Sequence, residues 1–277
     1  MAILVLLRHG QSIFNQEGRF TGWMDIDLTK KGREEASQAG QLMKNCRLDF
    51  DIAFTSVLKR AIRTTWIVLE EMDRMWIPLL PCWRLNERSY GALEGEKKSD
   101  MDRIYGPSQV RLWRRSFSER PPALSKDDRR YPGWDQRYRA IEEKDLPRTE
   151  SLQDALHRML PLWQELILPQ LEKERNVLVV SHGNIIRSLV KHIEGISHED
   201  IEKIEIATAR PLLYEMDGPM RLVRGSLTSM LSSNKSSLQA LAMPESDALF
   251  RRISRTHLVI QSCRDQYIPY LEDQIES

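Results

Sequence analysis

Apolar positions run unbroken from Ala2 to Leu7 and stop at an Arg-His-Gly turn. A continuous apolar run closed by a turn predicts a strand buried on both faces of a parallel sheet. At Thr29 the period changes. Thr29 suits a helix N-cap, and Ala36, Ala39, Leu42 and Met43 follow at helical spacing as far as Lys44. Ile52 to Thr55 predicts a second short strand, and Leu58 to Met72 a second helix. Ser151 to Leu171 is helical again, with Pro161 as a kink or break. Asn176 to Val180 predicts another buried strand and Ile185 to Glu194 another helix. Strands alternating with helices argue an α/β fold with a largely parallel sheet.

Two stretches break this rhythm. Arg84 to Leu146 is rich in Arg, Trp, Pro and Gly and has weak periodicity. It reads as an irregular lid, kept in order by Trp113, Tyr131, Trp134 and Tyr138. From about Gly225 the chain becomes Ser-rich, as linkers do, and Ser246 to Glu276 returns to helical periodicity. The expected division is a main domain over 1–224, then a linker and a helical C-terminal extension over 225–277 that packs on it.

Composition narrows the function classes. Apolar residues make up 41% of the 277, enough for a sizeable core, and charged residues 29%. The net charge of +1 argues against a general nucleic-acid binder, so any anion site must come from local clustering. Cys46, Cys82 and Cys263 are scattered, which implies neither a disulfide framework nor zinc spacing and suits a reducing, cytoplasmic setting. The N-terminal apolar run is too short for a signal peptide, and no stretch reaches the roughly 18 apolar residues of a spanning helix.

The chemistry begins with an internal echo. LVLLRHGQS and VLVVSHGNI each run buried strand, polar residue, His, Gly, polar residue. Ligands of parallel α/β sheets bind beyond the carboxyl ends of the strands, so His9 and His182 belong on one rim. Gly10 and Gly183 permit close approach, and a helix opening after His182 would offer free N–H groups to an anion. One such histidine is more often a satisfied core residue; two at matching strand ends are not so easily dismissed. Two histidines and an acid would also suit a metal. Arg8, Arg60, Arg88, Lys98, Arg114 and Arg115, however, lie in segments expected near the rim. Clustered cations repel a metal and attract phosphate.

At LRHGQSIFNQEGRFTGWMDIDLT the chain resembles the cofactor-dependent phosphoglycerate mutases of the histidine phosphatase superfamily. FTSVLKRAIRT, RLNERSYGALEG, VRLWRRSF, DLPRTESL, VVSHGN and VKHIEGIS follow in the same order as in that family, from about Ala2 to about Arg224. The resemblance implies a three-layer fold with a mostly parallel central sheet flanked by helices. It implies His9 as the nucleophile that becomes phosphohistidine, with Arg8, Arg60 and His182 around the phosphoryl group and Asn15 and Asn184 adding hydrogen bonds. Glu87 looks like the proton donor and acceptor for the substrate hydroxyl. Arg88, Tyr90, Lys98, Arg114 and Arg115 look like the grip on the substrate carboxylate and second phosphate, and Thr21, Gly22 and Gly183 line the substrate. The implied reaction interconverts 3-phosphoglycerate and 2-phosphoglycerate, primed by 2,3-bisphosphoglycerate and without a metal. The implied partners are that small substrate and further copies of the chain, as dimer or tetramer, with no nucleic acid or membrane.

Three departures stand out. Ser89 replaces the usual His of NERHYG, Ala209-Arg210 replaces a Gly-aliphatic pair, and the tail after Gly225 is extended. Gly22 and Lys98 fit the glycolytic branch better than a bisphosphoglycerate synthase and phosphatase. A broad phosphomonoesterase is a further alternative, and a binding protein that only retains the fold is the non-enzymatic one.

Overall fold

A computed structural model describes residues 2–216 and 222–225. The expected linker and helical extension lie, apart from Gly225, outside the described residues. The elements are β1 (Ile3–Arg8), α1 (Ile13–Gln16), α2 (Lys30–Asn45), β2 (Ile52–Thr55), α3 (Lys59–Glu71) and β3 (Leu79–Pro81). Then come α4 (Lys98–Tyr105), α5 (Pro107–Arg115), α6 (Leu152–Leu162), α7 (Leu168–Glu172) and β4 (Val177–Ser181). The last are α8 (Gly183–Glu194), β5 (Leu212–Met216) and β6 (Leu222–Gly225).

The strands form one sheet in the order β3-β2-β4-β1-β5-β6. The first four run parallel, and β5 and β6 add an antiparallel edge. The apolar run of β1 feeds two cores, because successive side chains point to opposite faces. Leu4 and Leu6 pack with Leu156 and Met159 of α6 and Ile186 and Leu189 of α8. Val5 and Leu7 pack with Ala39 and Met43 of α2 and Val68 and Leu69 of α3. Helices on both faces make three layers, as expected. The helices after β1 and β4 thus take opposite faces, so a crevice opens beyond the carboxyl ends of these neighbouring strands. No helix among the described residues is long and apolar enough to cross a membrane.

The start of α2 is fixed by Thr29, whose hydroxyl accepts the Gly32 N–H at 3.0 Å. Here the helix presses on the turn after β1: a Cβ on Gly10 would lie 2.0 Å from the Gly32 carbonyl oxygen. Only glycine lets the two backbones approach so closely.

Two expectations need revision. The segment from Arg84 to Leu146 is not irregular throughout. It contains α4 and α5, whose Met101, Val110 and Trp113 form a small core with Phe20 and Leu93. The break at Pro161 is displaced: α6 runs through it to Leu162, and a wider π turn spans Trp163–Ile167 before α7. Pro161 and Pro169 each withdraw an N–H donor, and the helix rewinds between them.

Ala209 and Arg210 part ways. Arg210 is exposed. Ala209 is buried at φ +47°, the left-handed region, and donates its N–H to the Arg8 carbonyl at 2.9 Å. Ala209→Gly relieves that strain, offset in part by the freer unfolded chain. It should stabilise the protein by about 0.5–1 kcal/mol, read as a raised midpoint in urea; a lowered midpoint would refute the strain.

Candidate active site

The site is built where β1 and β4 end. Arg8 pairs with Ser181 in the ladder, and the His9 N–H donates to the Ser181 carbonyl at 2.9 Å. His9 and His182 therefore leave the sheet side by side, with ring centroids 5.0 Å apart in an edge arrangement. Both are buried. His9 Nδ1 donates to the Gly10 carbonyl at 2.7 Å, the assignment a carbonyl partner demands, which leaves Nε2 with its lone pair. His182 Nε2 lies 2.7 Å from Ser56 Oγ, and Nδ1 has no partner among the described residues. Ser56 Oγ also accepts the Leu58 N–H at 3.3 Å; when its hydroxyl donates to Nε2, the ring hydrogen lies on Nδ1. Burial, then Arg60 and Arg8, hold His9 well below the usual imidazole range, against the Gly10 bond. Burial, then Arg60, His9 and Arg8, do the same for His182. Both rings are neutral at pH 7.

The cations around them are held by carbonyl oxygens. Arg8 Nη1 donates to Ile206 O at 2.6 Å. Arg60 donates to Met24 O and Gly22 O, each at 2.8 Å, and burial pushes its guanidinium down to about 10. Among the described residues, neither Nε has a partner. Arg88 lies over the Tyr90 ring at 4.4 Å, with Nε and Nη1 unpartnered. A buried guanidinium with an unmet donor costs free energy until an anion reaches it.

Glu87 comes from an irregular segment that side chains brace. Its Oε1 accepts the Arg88 N–H at 2.8 Å and the Asn184 N–H at 3.2 Å, so the carboxylate sits at the amino end of α8. Behind it, Arg158 pairs with Glu150 at 2.6 Å and donates to the carbonyls of Trp83, Arg84, Asn86 and Glu87.

Together these residues border a cavity of ≈ 150 Å³. Of the residues predicted from sequence, Arg8, Asn15, Thr21, Gly22, Glu87 and Tyr90 line it, and so do Lys98, Arg114, Arg115, Gly183 and Asn184. His9, His182, Arg60 and Arg88 are not part of the lining and lie buried beside it. Lys98 is held below its usual range by burial, then by the like charges of Arg114, Arg8 and Arg115, with Tyr90 opposing. Arg19 and Arg187 also line the cavity and were not expected. Arg187 is buried, with Nη2 on Arg114 O at 3.2 Å and Nε unpartnered. Burial pushes it down to about 10, helped by Arg88 and Arg115. Its signal was in the sequence: a lone charge inside the apolar run Ile185–Val190, one turn after Gly183. Among the described residues, no group of three or more His, Cys, Asp or Glu is placed to hold a metal.

A family model described as histidine phosphatase superfamily (branch 1) matches residues 4–127 and 123–223. Among solved structures, the chain is similar to a mycobacterial glucosyl-3-phosphoglycerate phosphatase. The identity is 23%, the TM-score 0.59, and the match covers 78% of this chain and 93% of that one. It is also similar to a putative α-ribazole-5′-phosphate phosphatase from Escherichia coli, at 19% identity and TM-score 0.61, covering 87% and 96%. A third is YhfR from Bacillus stearothermophilus, at 22% identity and TM-score 0.61, covering 80% and 94%. Identities this low speak for the fold alone. The activities these descriptions name are phosphatase activities, not mutase ones.

Replacing Arg187 by Met removes a desolvated cation from a crowd of like charges. Arg187→Met should raise the Tm of the ligand-free protein and weaken binding of inorganic pyrophosphate about tenfold. The pyrophosphate-dependent rise in Tm reads both effects; a rise as large as that of the wild type would show that Arg187 does not meet the anion.

Proposed function

As the chain belongs to the histidine phosphatase superfamily, we propose that it transfers phosphoryl groups through a phosphohistidine on His9, and that its reaction interconverts 3-phosphoglycerate and 2-phosphoglycerate. One observation carries the phosphohistidine: His9 Nδ1 is committed to the Gly10 carbonyl at 2.7 Å, so a neutral ring presents Nε2 as nucleophile. Nε2 attacks phosphorus, the P–O bond to the substrate breaks, and the electron pair leaves on the substrate oxygen. Arg8 Nε, Arg60 Nε and His182 Nδ1, the donors without partners, meet the phosphoryl oxygens as charge develops. Glu87 gives the departing oxygen its proton and takes one back in reverse, its carboxylate held by the Asn184 N–H.

The mutase reading rests on the cations beyond this pocket. A monophosphate needs one set of donors, yet Arg88 and Arg187 keep further unpartnered ones, beside Lys98, Arg114 and Arg115. These suit a second anionic group, as does a cavity of ≈ 150 Å³, small beside the several hundred of drug-sized sites. The same donors fit 2,3-bisphosphoglycerate, which when bound supplies the phosphoryl group that primes His9. A second reading, a phosphomonoesterase, is favoured by the phosphatases among the structural neighbours. We further infer a homo-oligomer. Trp66, Met75 and Trp76 are 59%, 70% and 74% exposed, and β3 forms the edge of the sheet. Trp76→Glu should lower the mass seen in sedimentation if Trp76 lies between two copies; an unchanged mass removes Trp76 from such a contact.

The main test mixes the protein with labelled 2,3-bisphosphoglycerate. Wild type should acquire an acid-labile label that His9→Ala abolishes, and an unlabelled wild type would end the proposal. Formation of 2-phosphoglycerate outpacing release of inorganic phosphate supports the mutase, and the reverse supports the phosphatase. The pH profile has a definite sign. The nucleophile must be unprotonated and its folded pKa is depressed, so labelling at saturating bisphosphoglycerate should stay undiminished as pH falls through 6.5, the ordinary imidazole value. A loss centred at 6.5 would show His9 to be unshifted.

A further inference from the structure

Two of the loops that form this site meet on one buried carboxylate that the proposed chemistry does not use. Glu94 is 3% exposed. Its Oε2 accepts the Trp23 N–H at 3.2 Å, and its Oε1 accepts the Tyr90 N–H at 3.0 Å and the Ser89 hydroxyl at 3.1 Å. Trp23 follows Thr21 and Gly22, which line one wall of the cavity. Glu87 and Tyr90 line the other, with Ser89 between Arg88 and Tyr90.

Gly22 packs directly on this carboxylate. Its φ is +51°, and a Cβ there would lie 2.0 Å from Glu94 Oε1. From the other side Arg60 holds the Gly22 carbonyl at 2.8 Å. The Gly22 backbone is thus caught between an arginine of the phosphoryl pocket and Glu94.

We propose that Glu94 is a positioning residue, its carboxylate clamping the Thr21–Trp23 segment to the Glu87–Tyr90 segment and so setting the spacing between the two walls of the substrate site. The inference rests on the reading of that site given above. It also gives Ser89 a role. A short hydroxyl donates to Glu94 while accepting the Gly91 N–H at 3.2 Å, so it joins the clamp to the turn that follows.

The clamp has an acidic limit. Burial raises the Glu94 carboxyl to about 7, against the pull of the Trp23 and Tyr90 N–H groups, the Ser89 hydroxyl and Arg130. The charged groups facing it are Arg130, which bonds the Glu94 carbonyl, and Arg60, across Gly22. Above about pH 7 the ionised carboxylate accepts all three bonds; below it, the carboxyl gains a proton and loses accepting capacity. KM should therefore rise as pH falls through this range.

The test compares wild type, Glu94→Gln, Ser89→Ala and the double variant, all full-length. Two probes are used: 3-phosphoglycerate, which needs both walls, and orthovanadate, which needs the phosphoryl pocket alone. Gln keeps the shape but turns a donor toward one N–H. Glu94→Gln should raise KM for 3-phosphoglycerate about tenfold, with kcat and vanadate affinity within about threefold. The rise in KM below pH 7 should disappear. Ser89→Ala should shift KM the same way by less, and the double variant should be no worse than Glu94→Gln, as expected of one shared network. An unchanged KM in Glu94→Gln, or vanadate affinity falling in step with KM, overturns the clamp. If Glu94→Gln does not fold, an unchanged KM in Ser89→Ala overturns it as well. A wild type that forms no phosphohistidine fails on other grounds, since it defeats the reading of the site itself.

Discussion

The His9 N–H to Ser181 carbonyl bond, at 2.9 Å, is the contact on which the rest of the site depends. It extends the β1–β4 ladder by one step past Arg8 and Ser181. Two segments far apart in the chain therefore leave the sheet in a shared register. Parallel strands send both chains out on the same side, and helices that pass to opposite faces leave a gap there. A slip of one residue would turn each strand's side chains to the other face, so the two dry cores enforce the register. The 5.0 Å separation of the imidazoles follows from packing at Leu4–Leu7 and Val177–Val180, remote from any chemistry.

Buried arginines of two kinds surround this junction. Arg158 makes six hydrogen bonds, two of them to Glu150, and every donor it turns inward has an acceptor. It frames the Glu87 segment and has nothing left for a ligand. Arg8, Arg60, Arg88 and Arg187 are anchored by a carbonyl or a ring yet keep at least one nitrogen without a partner among the described residues. For Arg8, Arg60 and Arg187 burial also depresses the pKa. An unmet donor in a dry site destabilises the free protein and rewards the anion that satisfies it. The first kind of arginine is fully satisfied within the protein and the second keeps donors to offer an anion, and the difference lies in their partners, not in their burial.

The parts of this arrangement that a linear pattern could reveal are those with strong local signals. Ile52–Thr55 matches β2 residue for residue, and Thr29 caps α2 as its position suggested. The strands β1 and β4 lie within one residue of their expected spans, because burial on both faces leaves an uninterrupted apolar run. β3 and β5 were missed. β3 is three residues long and ends in Pro81, and β5 mixes Tyr214 and Glu215 among its aliphatics. The helices α4 and α5 were missed because their apolar positions serve a small separate core while their polar faces carry Lys98, Arg114 and Arg115. In the site, motif residues were legible; Arg187 showed only as a lone charge in an apolar run, and Glu94 not at all. What a buried charge does is set by the groups that satisfy it, and those come from other segments.

That dependence explains why Glu87 sits where it does. The segment from Trp83 to Tyr90 has one short 3₁₀ turn and no place in the sheet, so side chains take up its backbone groups. Ser181 Oγ donates to Leu85 O at 2.7 Å, Arg158 Nη2 donates to Asn86 O at 3.1 Å, and Glu150 accepts the Ser89 N–H at 2.8 Å. Glu94 takes the Tyr90 N–H in the same way. A regular strand would satisfy its groups whatever its side chains, but it would present every second residue to the same face. This segment turns Glu87 to the cavity and buries its neighbour Arg88 beside it. That local freedom is bought with four buried polar anchors, each a side chain from outside the segment that holds its backbone in place.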